Sequence, residues 1–208
     1  MKIEKFTLGI VQTNAYLLTH EDTCILFDAP TPASILIESI KDYKNKYLYL
    51  THGHFDHILG AFELKKAYPE LEIIISKEDS SYLINKAKKA IYDLTAMGLP
   101  DPMINEDITF SYLEDTPLLY GFEYMYTPGH TKGSVCFINN NLNLIIAGDT
   151  VFKDGYGRTD LPGGSNSALF TSIKSLLKLE KKLVVLPGHG PNTTIDELNS
   201  FFLFSFTS

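Results

Sequence analysis

The run Thr51-His52-Gly53-His54-Phe55-Asp56-His57 places three imidazoles and a carboxylate within seven residues of a 208-residue chain that has six histidines. Imidazole nitrogen and carboxylate oxygen are ligands that zinc and similar first-row metals accept, and no thiolate is needed. His52 and His54 alternate by two, so an extended segment would point both to one side. Asp56 and His57 follow at another phase, so the chain must turn there and can face a second metal. The competing reading is a histidine-rich solvated loop.

Three other stretches weigh against that alternative. Tyr124-Met125-Tyr126-Thr127-Pro128-Gly129-His130 is an apolar run that ends in a Pro-Gly turn and a histidine. Leu183-Val184-Val185-Leu186-Pro187-Gly188-His189-Gly190 repeats the pattern, and Leu144-Ile145-Ile146-Ala147-Gly148-Asp149-Thr150 ends in an aspartate. Tyr47-Leu48-Tyr49-Leu50 precedes the first motif in the same way. Short β-rich apolar runs bounded by Gly or Pro read as buried strands. Four strands then each deliver a histidine or aspartate at a carboxyl end, where layered α/β proteins commonly build their sites. His20, outside this set, reads as a surface residue.

The elements that must position these groups are legible at coarse grain. Strand signals cover about 2–9, 14–19, 24–28 and 46–50. A helix follows the first motif, with Ile58, Leu59, Phe62 and Leu64 on its apolar side. A strand at 71–75 and a helix at about 78–96 come next, and Pro100 and Pro102 open a polar loop. Strands fill about 108–147, and a glycine-rich loop spans 153–164. A helix starts with Ser165 as N-cap, and a strand at 183–186 and a short final helix close the chain. Strand-rich halves with interspersed helices predict an α/β fold with two packed sheets covered by helices. Neither a linker nor an internal repeat is visible, so residues 1–208 read as one domain.

The motifs THGHFDH at 51–57, TPGHTKGS at 127–134, GDTVFKDGYGR at 148–158 and PGHG at 187–190 together resemble the metallo-β-lactamase fold superfamily, and more closely its compact glyoxalase II-like hydrolases. The resemblance runs from about Asn14 to His189. It implies an αββα sandwich of two mixed β-sheets flanked by helices. It also implies two divalent metal ions per chain, zinc first, with iron or manganese compatible with the donors. His52, His54 and His130 would bind one ion, Asp56, His57 and His189 the other, and Asp149 would bridge both. Asp28, closing Cys24-Ile25-Leu26-Phe27, resembles the family aspartate that backs a metal ligand; a helix N-terminal acid before Pro30 and Pro32 is the other reading. Arg158 resembles the basic position that meets the glycine carboxylate of glutathione. Its alternative is a structural arginine pairing with Asp160 or a backbone carbonyl.

Composition narrows the function. The formal net charge is −7, with scattered basic residues and no basic stripe, which argues against the nucleic-acid-processing members of the superfamily. The hydrophobic fraction is 44%, and no segment approaches the roughly 18 uninterrupted apolar residues of a membrane span. With no export signal at the N-terminus, the expected compartment is the cytoplasm. Cys24 and Cys136 sit in apolar strand-like runs and read as buried small hydrophobes. The apolar tail from Phe201 to Phe206 either docks on its own core or marks a subunit contact, and the oligomeric state is open.

The chain has no G-x-S-x-G elbow, so nucleophilic attack is assigned to metal-bound hydroxide, which Asp56 could also orient beside its role as ligand. A thiolate, with pKa near ~8.5, leaves without a proton donor, whereas an amide nitrogen needs one. The expected substrate is therefore a small thioester, with no nucleic-acid or membrane partner. Departures from sister families agree. Many true metallo-β-lactamases carry cysteine at the position of Asp149 and lack the histidine at His57. Diiron flavoproteins have glutamate in place of His54, and acyl-homoserine lactonases a tyrosine where Phe152 stands. Persulfide dioxygenases share much of the motif set with a single iron. Glyoxalase II enzymes usually add a helical C-terminal domain, for which residues 190–208 are too few, so glutathione specificity is open. A lactonase or carboxylic-ester hydrolase is the alternative enzyme, and a non-catalytic metal-binding or redox partner module the alternative outside enzymes.

Overall fold

The computed structural model describes the backbone of residues 1–206 and the side chains of residues 1–202. The chain divides into two compact units, Met1–Thr116 and Pro117–Ser208. The first contains β1 (Lys2–Leu8), β2 (Thr13–His20), β3 (Thr23–Phe27), α1 (Ser34–Ile40), β4 (Asn45–Tyr49), α2 (Phe55–Ile58), α3 (Gly60–Ala67), β5 (Glu72–Ile75), α4 (Ile84–Ala96) and β6 (Ser111–Tyr112). Its sheet runs β1-β2-β3-β4-β5-β6, antiparallel through β3 and parallel from β3 to β6.

Two of the parallel strands are near-continuous apolar runs, β3 buried throughout and β5 from Ile73 to Ile75, the composition expected of inner parallel strands. Cys24 to Phe27 is fully buried, and its alternate residues Cys24 and Leu26 join Leu48 and Ile73 in a core with Leu36, Ile58, Leu59 and Leu64. Register aligns the strand ends: Phe27 pairs with Tyr49, and Tyr49 with Ile74. The segments that leave β3, β4 and β5 are therefore neighbours. They are Asp28, the loop 51–54, and a turn whose 3-10 segment is Ser80–Tyr82.

The second unit contains β7 (Glu123–Tyr126), β8 (Val135–Asn139), β9 (Leu144–Gly148), β10 (Val151–Phe152), β11 (Gly155–Tyr156), α5 (Asn166–Leu176), β12 (Val184–Pro187), β13 (Thr193–Thr194) and α6 (Ile195–Phe206). The sheet order is β13-β12-β9-β8-β7, with β9 and β12 parallel and the other pairs antiparallel. Ser165 caps α5 by accepting from the Ala168 amide. Ile145, Val185, Ile173, Leu198 and Phe202 form the core. Phe202, 1% exposed, is docked there, a burial that stabilises by about 1.5–3 kcal/mol. The side chains of the tail from Leu203 to Phe206 lie outside the described residues.

Three expectations need correction, and one further helix is found. The helix expected at 78–96 is a 3-10 turn and then α4, and Asn85, Lys86 and Ala87 near its start are left-handed, with φ of 52°, 58° and 54°. The glycine-rich loop contains a small hairpin, since Val151 pairs with Tyr156 and Phe152 with Gly155. Between 108 and 126 only β6 and β7 are strand; a 3-10 turn at Leu113–Asp115 interrupts them. Helix α1, implied only by the alternative reading of Asp28, follows Pro32, and Glu63 on α3 accepts from the Ala33 amide at its start, replacing a local cap.

Candidate metal centre

In the first unit the donor loop leaves β4 at Leu50 and enters α2 at Phe55. Asp56 sits in the first turn of that helix, where an acid is favoured by the unpaired amides. The His52 ring lies 5.0 Å from that of His54 and 4.1 Å from that of His57, centroid to centroid. All three histidines are buried.

Asp28 organises this loop. It is 2% exposed and adopts φ 63°, a left-handed conformation that aspartate tolerates better than most residues. Its Oδ1 accepts from the Thr51 amide, and its Oδ2 accepts from Thr51 Oγ1 and His57 Nδ1, each at 2.8 Å. The Thr51 hydroxyl proton is thus committed to Asp28, so at the 3.0 Å contact with His52 the Nδ1–H donates to Thr51 Oγ1. Both rings then present Nε2 as the lone-pair nitrogen. An outer partner that fixes the tautomer in this way is the usual support of a metal-bound histidine.

Asp56 Oδ2 accepts from buried Thr13 Oγ1 at 2.6 Å and lies 3.2 Å from His57 Nε2. A carboxylate oxygen and an imidazole lone pair at that separation repel each other unless a positive charge lies between them. Two donors each about 2.0–2.2 Å from a tetrahedral ion sit roughly 3.3–3.6 Å apart. The pair therefore fits a shared cation.

The second unit supplies His130, Asp149 and His189 from the ends of β7, β9 and β12. The β9–β12 register pairs Gly148 with Pro187, and the Gly188 amide donates to the Gly148 carbonyl at 2.7 Å, which sets Asp149 beside His189. Thr127 and Thr150, 2.8 Å apart through their hydroxyls, tie the β7 end to the β9 end. His130 Nδ1 lies 2.7 Å from the Arg158 carbonyl, which can only accept, so Nε2 is again the lone-pair nitrogen. Asp149 Oδ2 is 3.5 Å from His130 Nε2 and 3.5 Å from His189 Nε2. One carboxylate thus stands between two imidazoles at the spacing of neighbouring ligands.

Glycine makes this approach feasible. A Cβ on Gly157 would lie 2.0 Å from the Asp149 carbonyl oxygen and 2.9 Å from His130 Nδ1. Beneath the loops, Cys136 contacts the Thr127 and Thr150 hydroxyls at 3.6 Å, and burial pushes its thiol up to about 11. It packs as a small hydrophobe. Cys24 and Cys136 are both free thiols.

Arg158 contributes its backbone carbonyl to the His130 contact. Its guanidinium is bound bidentately by Asp160, at 2.7 and 2.8 Å, on an exposed loop. Sequence reasoning passed over Thr13, Asp79, Tyr82 and Gly157, all of which touch the donor segments. Their only sequence signals were an Asp after an apolar strand and a Gly in a Gly-rich loop.

Among the described residues, no helix is long and apolar enough to cross a membrane. The family model for the metallo-β-lactamase superfamily matches residues 8–189. The probable metallo-hydrolase YqgX of Bacillus subtilis (strain 168) is 32% identical, over 94% of this chain and 93% of that protein. The hydroxyacylglutathione hydrolase GloC of Haemophilus influenzae is also 32% identical, over 95% and 94%. The crystal structure of TTHA1623 in a di-iron-bound form matches with a TM-score of 0.82 and 32% identity, covering 93% of this chain and 96% of that one. The two mixed sheets with their helices are the fold of these neighbours. With this fold and a donor set of histidines and aspartates suited to divalent ions, the chain belongs to the metallo-β-lactamase superfamily and is one of its metallo-hydrolases.

Proposed function

We propose that the protein is a dinuclear metal hydrolase of a small thioester, similar in activity to the hydroxyacylglutathione hydrolase GloC. The observation that carries the dinuclear reading is the position of Asp149, whose Oδ2 is equidistant from His130 and His189. In this reading His52, His54 and His130 hold one ion, Asp56, His57 and His189 the other, and Asp149 serves both.

Two bound divalent ions would lower the pKa of a shared water toward ~7 and polarise the scissile carbonyl. The chain's own groups prepare that site. Asp28 and the Arg158 carbonyl keep His57 and His130 in the tautomer that offers Nε2. Thr13 donates to Asp56 Oδ2 and so restricts how that carboxylate can turn. In this reading Asp56 would also orient the attacking water, beside its role as ligand. No side chain in the donor segments is an evident acid for an amine leaving group, and a thiolate needs none. GloC of H. influenzae, named for hydrolysis of a hydroxyacylglutathione, matches 95% of this chain, which favours a thioester substrate. We place the protein in the cytoplasm, where two free buried thiols persist, with a small molecule as its partner and no nucleic acid or membrane.

Purified protein reconstituted with zinc, iron or manganese should hold close to two ions per chain by elemental analysis. It should hydrolyse thioesters with higher kcat/KM than lactones or β-lactams. One ion per chain, unaffected by His57→Ala or His189→Ala, would remove the dinuclear reading. A side-by-side preference for lactones would make the lactonase assignment the correct one, and full metal loading without turnover would favour a binding module.

A further inference from the structure

The turn that leaves β5 faces the donor loop, and two of its side chains meet the residue between the first two histidines. Asp79 is 2% exposed, and its Oδ2 accepts from the Gly53 amide at 2.9 Å. Tyr82, 3% exposed, packs its ring 6.0 Å from the His54 ring in an edge-on arrangement. A Cβ on Gly53 would lie 2.3 Å from Tyr82 Cδ2 and 2.7 Å from Cγ, atoms near the base of the ring that cannot swing aside alone. Gly53 is therefore held from two sides, by a carboxylate on its amide and by an aromatic wall against its α-carbon. The Lys89 ammonium covers the Tyr82 ring at 3.5 Å from the centroid, which pins that wall in turn.

The topology explains the juxtaposition. Strands β4 and β5 are parallel neighbours, and the Leu50 amide still donates to the Ile74 carbonyl at 2.9 Å past the end of β4. The turn 76–82 is wound by hydrogen bonds donated by the Asp79 amide to the Ser76 carbonyl and by the Tyr82 amide to the Asp79 carbonyl, which brings Asp79 and Tyr82 against the loop. Burying a carboxylate is costly unless it is hydrogen-bonded, and burying an amide without an acceptor is costly too. The Asp79–Gly53 contact gives the amide its acceptor and sets a carboxyl group beside the loop that carries His52 and His54.

We infer that Asp79, with Tyr82, is a positioning residue that presets His52 and His54 for metal. The inference rests on the dinuclear reading above. Its distinguishing consequence is asymmetry. Asp79 touches the segment carrying His52 and His54, whereas His57 and Asp56 are held by Asp28 and Thr13. Losing Asp79 should weaken one binding step and spare the other, whereas a purely structural role would weaken both.

The experiment is titration of the metal-free full chain with Co2+, followed by calorimetry and by visible absorption. Asp79→Ala should lower the affinity of one of two steps by about 10–100-fold and alter its absorption band, leaving the other step within about three-fold of wild type. Asp79→Asn, which keeps a carbonyl for the Gly53 amide, should recover most of that loss. If Asp79→Ala does not fold, Asp79→Asn and Tyr82→Leu carry the test: Leu, lacking the ring edge against His54, should weaken the same step as Ala is expected to. Wild-type affinities and spectrum in Asp79→Ala or Tyr82→Leu, or an equal loss in both steps, overturn the inference. A wild-type chain that binds no Co2+ overturns the metal reading itself, and this inference with it.

Discussion

In the first unit four candidate donors lie on one continuous segment, 52–57, and side chains hold them: Asp28 on His57, Thr51 on His52, Thr13 on Asp56. In the second, three donors arrive from three strand ends, and apart from the Thr127–Thr150 hydroxyl pair it is backbone that holds them. The Arg158 carbonyl orients His130, a Gly188 amide to Gly148 carbonyl bond sets His189 beside Asp149, and the bare α-carbon of Gly157 lets its loop close on Asp149 and His130. A contiguous motif needs outside anchors, because a short loop cannot brace itself. Donors on separate strands are already braced by their sheet, and need only that nothing obstruct the approach. The two designs should therefore fail differently. The first is weakened by deleting a side chain, and the second by adding an atom.

The largest effect should come from adding one. Gly157 has no positive φ to forbid alanine, so Gly157→Ala tests space alone. The new Cβ meets the Asp149 carbonyl, which cannot move without moving the Asp149 side chain, and the His130 ring at the same time. The expected result is a loss of metal affinity and kcat/KM beyond the about 100-fold typical of an outer partner, with a stability loss of about 1–3 kcal/mol from overpacking. Elemental analysis after dialysis and thermal unfolding check it. Retention of wild-type metal content would mean that the second unit is not held by close backbone approach.

A smaller effect should follow Asp28→Asn. Asparagine tolerates φ 63° as aspartate does, so the backbone is spared. An amide has one acceptor oxygen, however, whereas Asp28 accepts through both, from the Thr51 amide on Oδ1 and from Thr51 Oγ1 and His57 Nδ1 on Oδ2. With the nitrogen in either place a donor faces a donor, and the least constrained partner, the His57 ring, loses its tautomer lock. Metal affinity should drop about 10–100-fold, mainly at the His57 ion, with kcat following. An unchanged two-step metal titration would separate Asp28 from metal binding and leave it a structural carboxylate.

The same contrast explains what the sequence disclosed. The donors were legible because chemistry forces their types and because both motif and strand ends have a spacing that periodicity exposes. Buried runs such as Cys24 to Phe27 and Leu144 to Gly148 announced their strands for the same reason. The supports were not legible. Thr13 lies 43 residues from Asp56 and Asp79 lies 26 from Gly53, so only the sheet order reveals the pairings. A backbone carbonyl such as that of Arg158 has no residue-type signature at all. Helix α1 is only faintly marked because Glu63, from another helix, takes the place of a local cap, and the left-handed stretch from Asn85 to Ala87 leaves no mark in an otherwise helical pattern.

The smallest effect sharpens the one place where a side chain and a backbone group of the same residue divide the work. Arg158 gives its carbonyl to His130 and its guanidinium to Asp160. For the guanidinium to clamp a substrate carboxylate, it must first share or leave Asp160. The hydrogen bonds from Arg158 hold the Asp160 carboxyl down to about 2, below its ordinary range. A depressed value means that the pair is complete above the ordinary range and is lost only as pH falls through about 2, so assays near neutrality will not loosen it. Asp160→Asn will. If Arg158 recognises a distal carboxylate, that variant should lower KM for a carboxylate-bearing thioester by up to about five-fold, the scale of an exposed ion pair, with kcat unchanged. A neutral thioester should show no change. Because the His130 contact uses the carbonyl, neither Asp160→Asn nor Arg158→Ala should alter metal content. Equal shifts for both substrates, or none, would make the guanidinium a loop fastener and leave the carbonyl as the functional part of the residue.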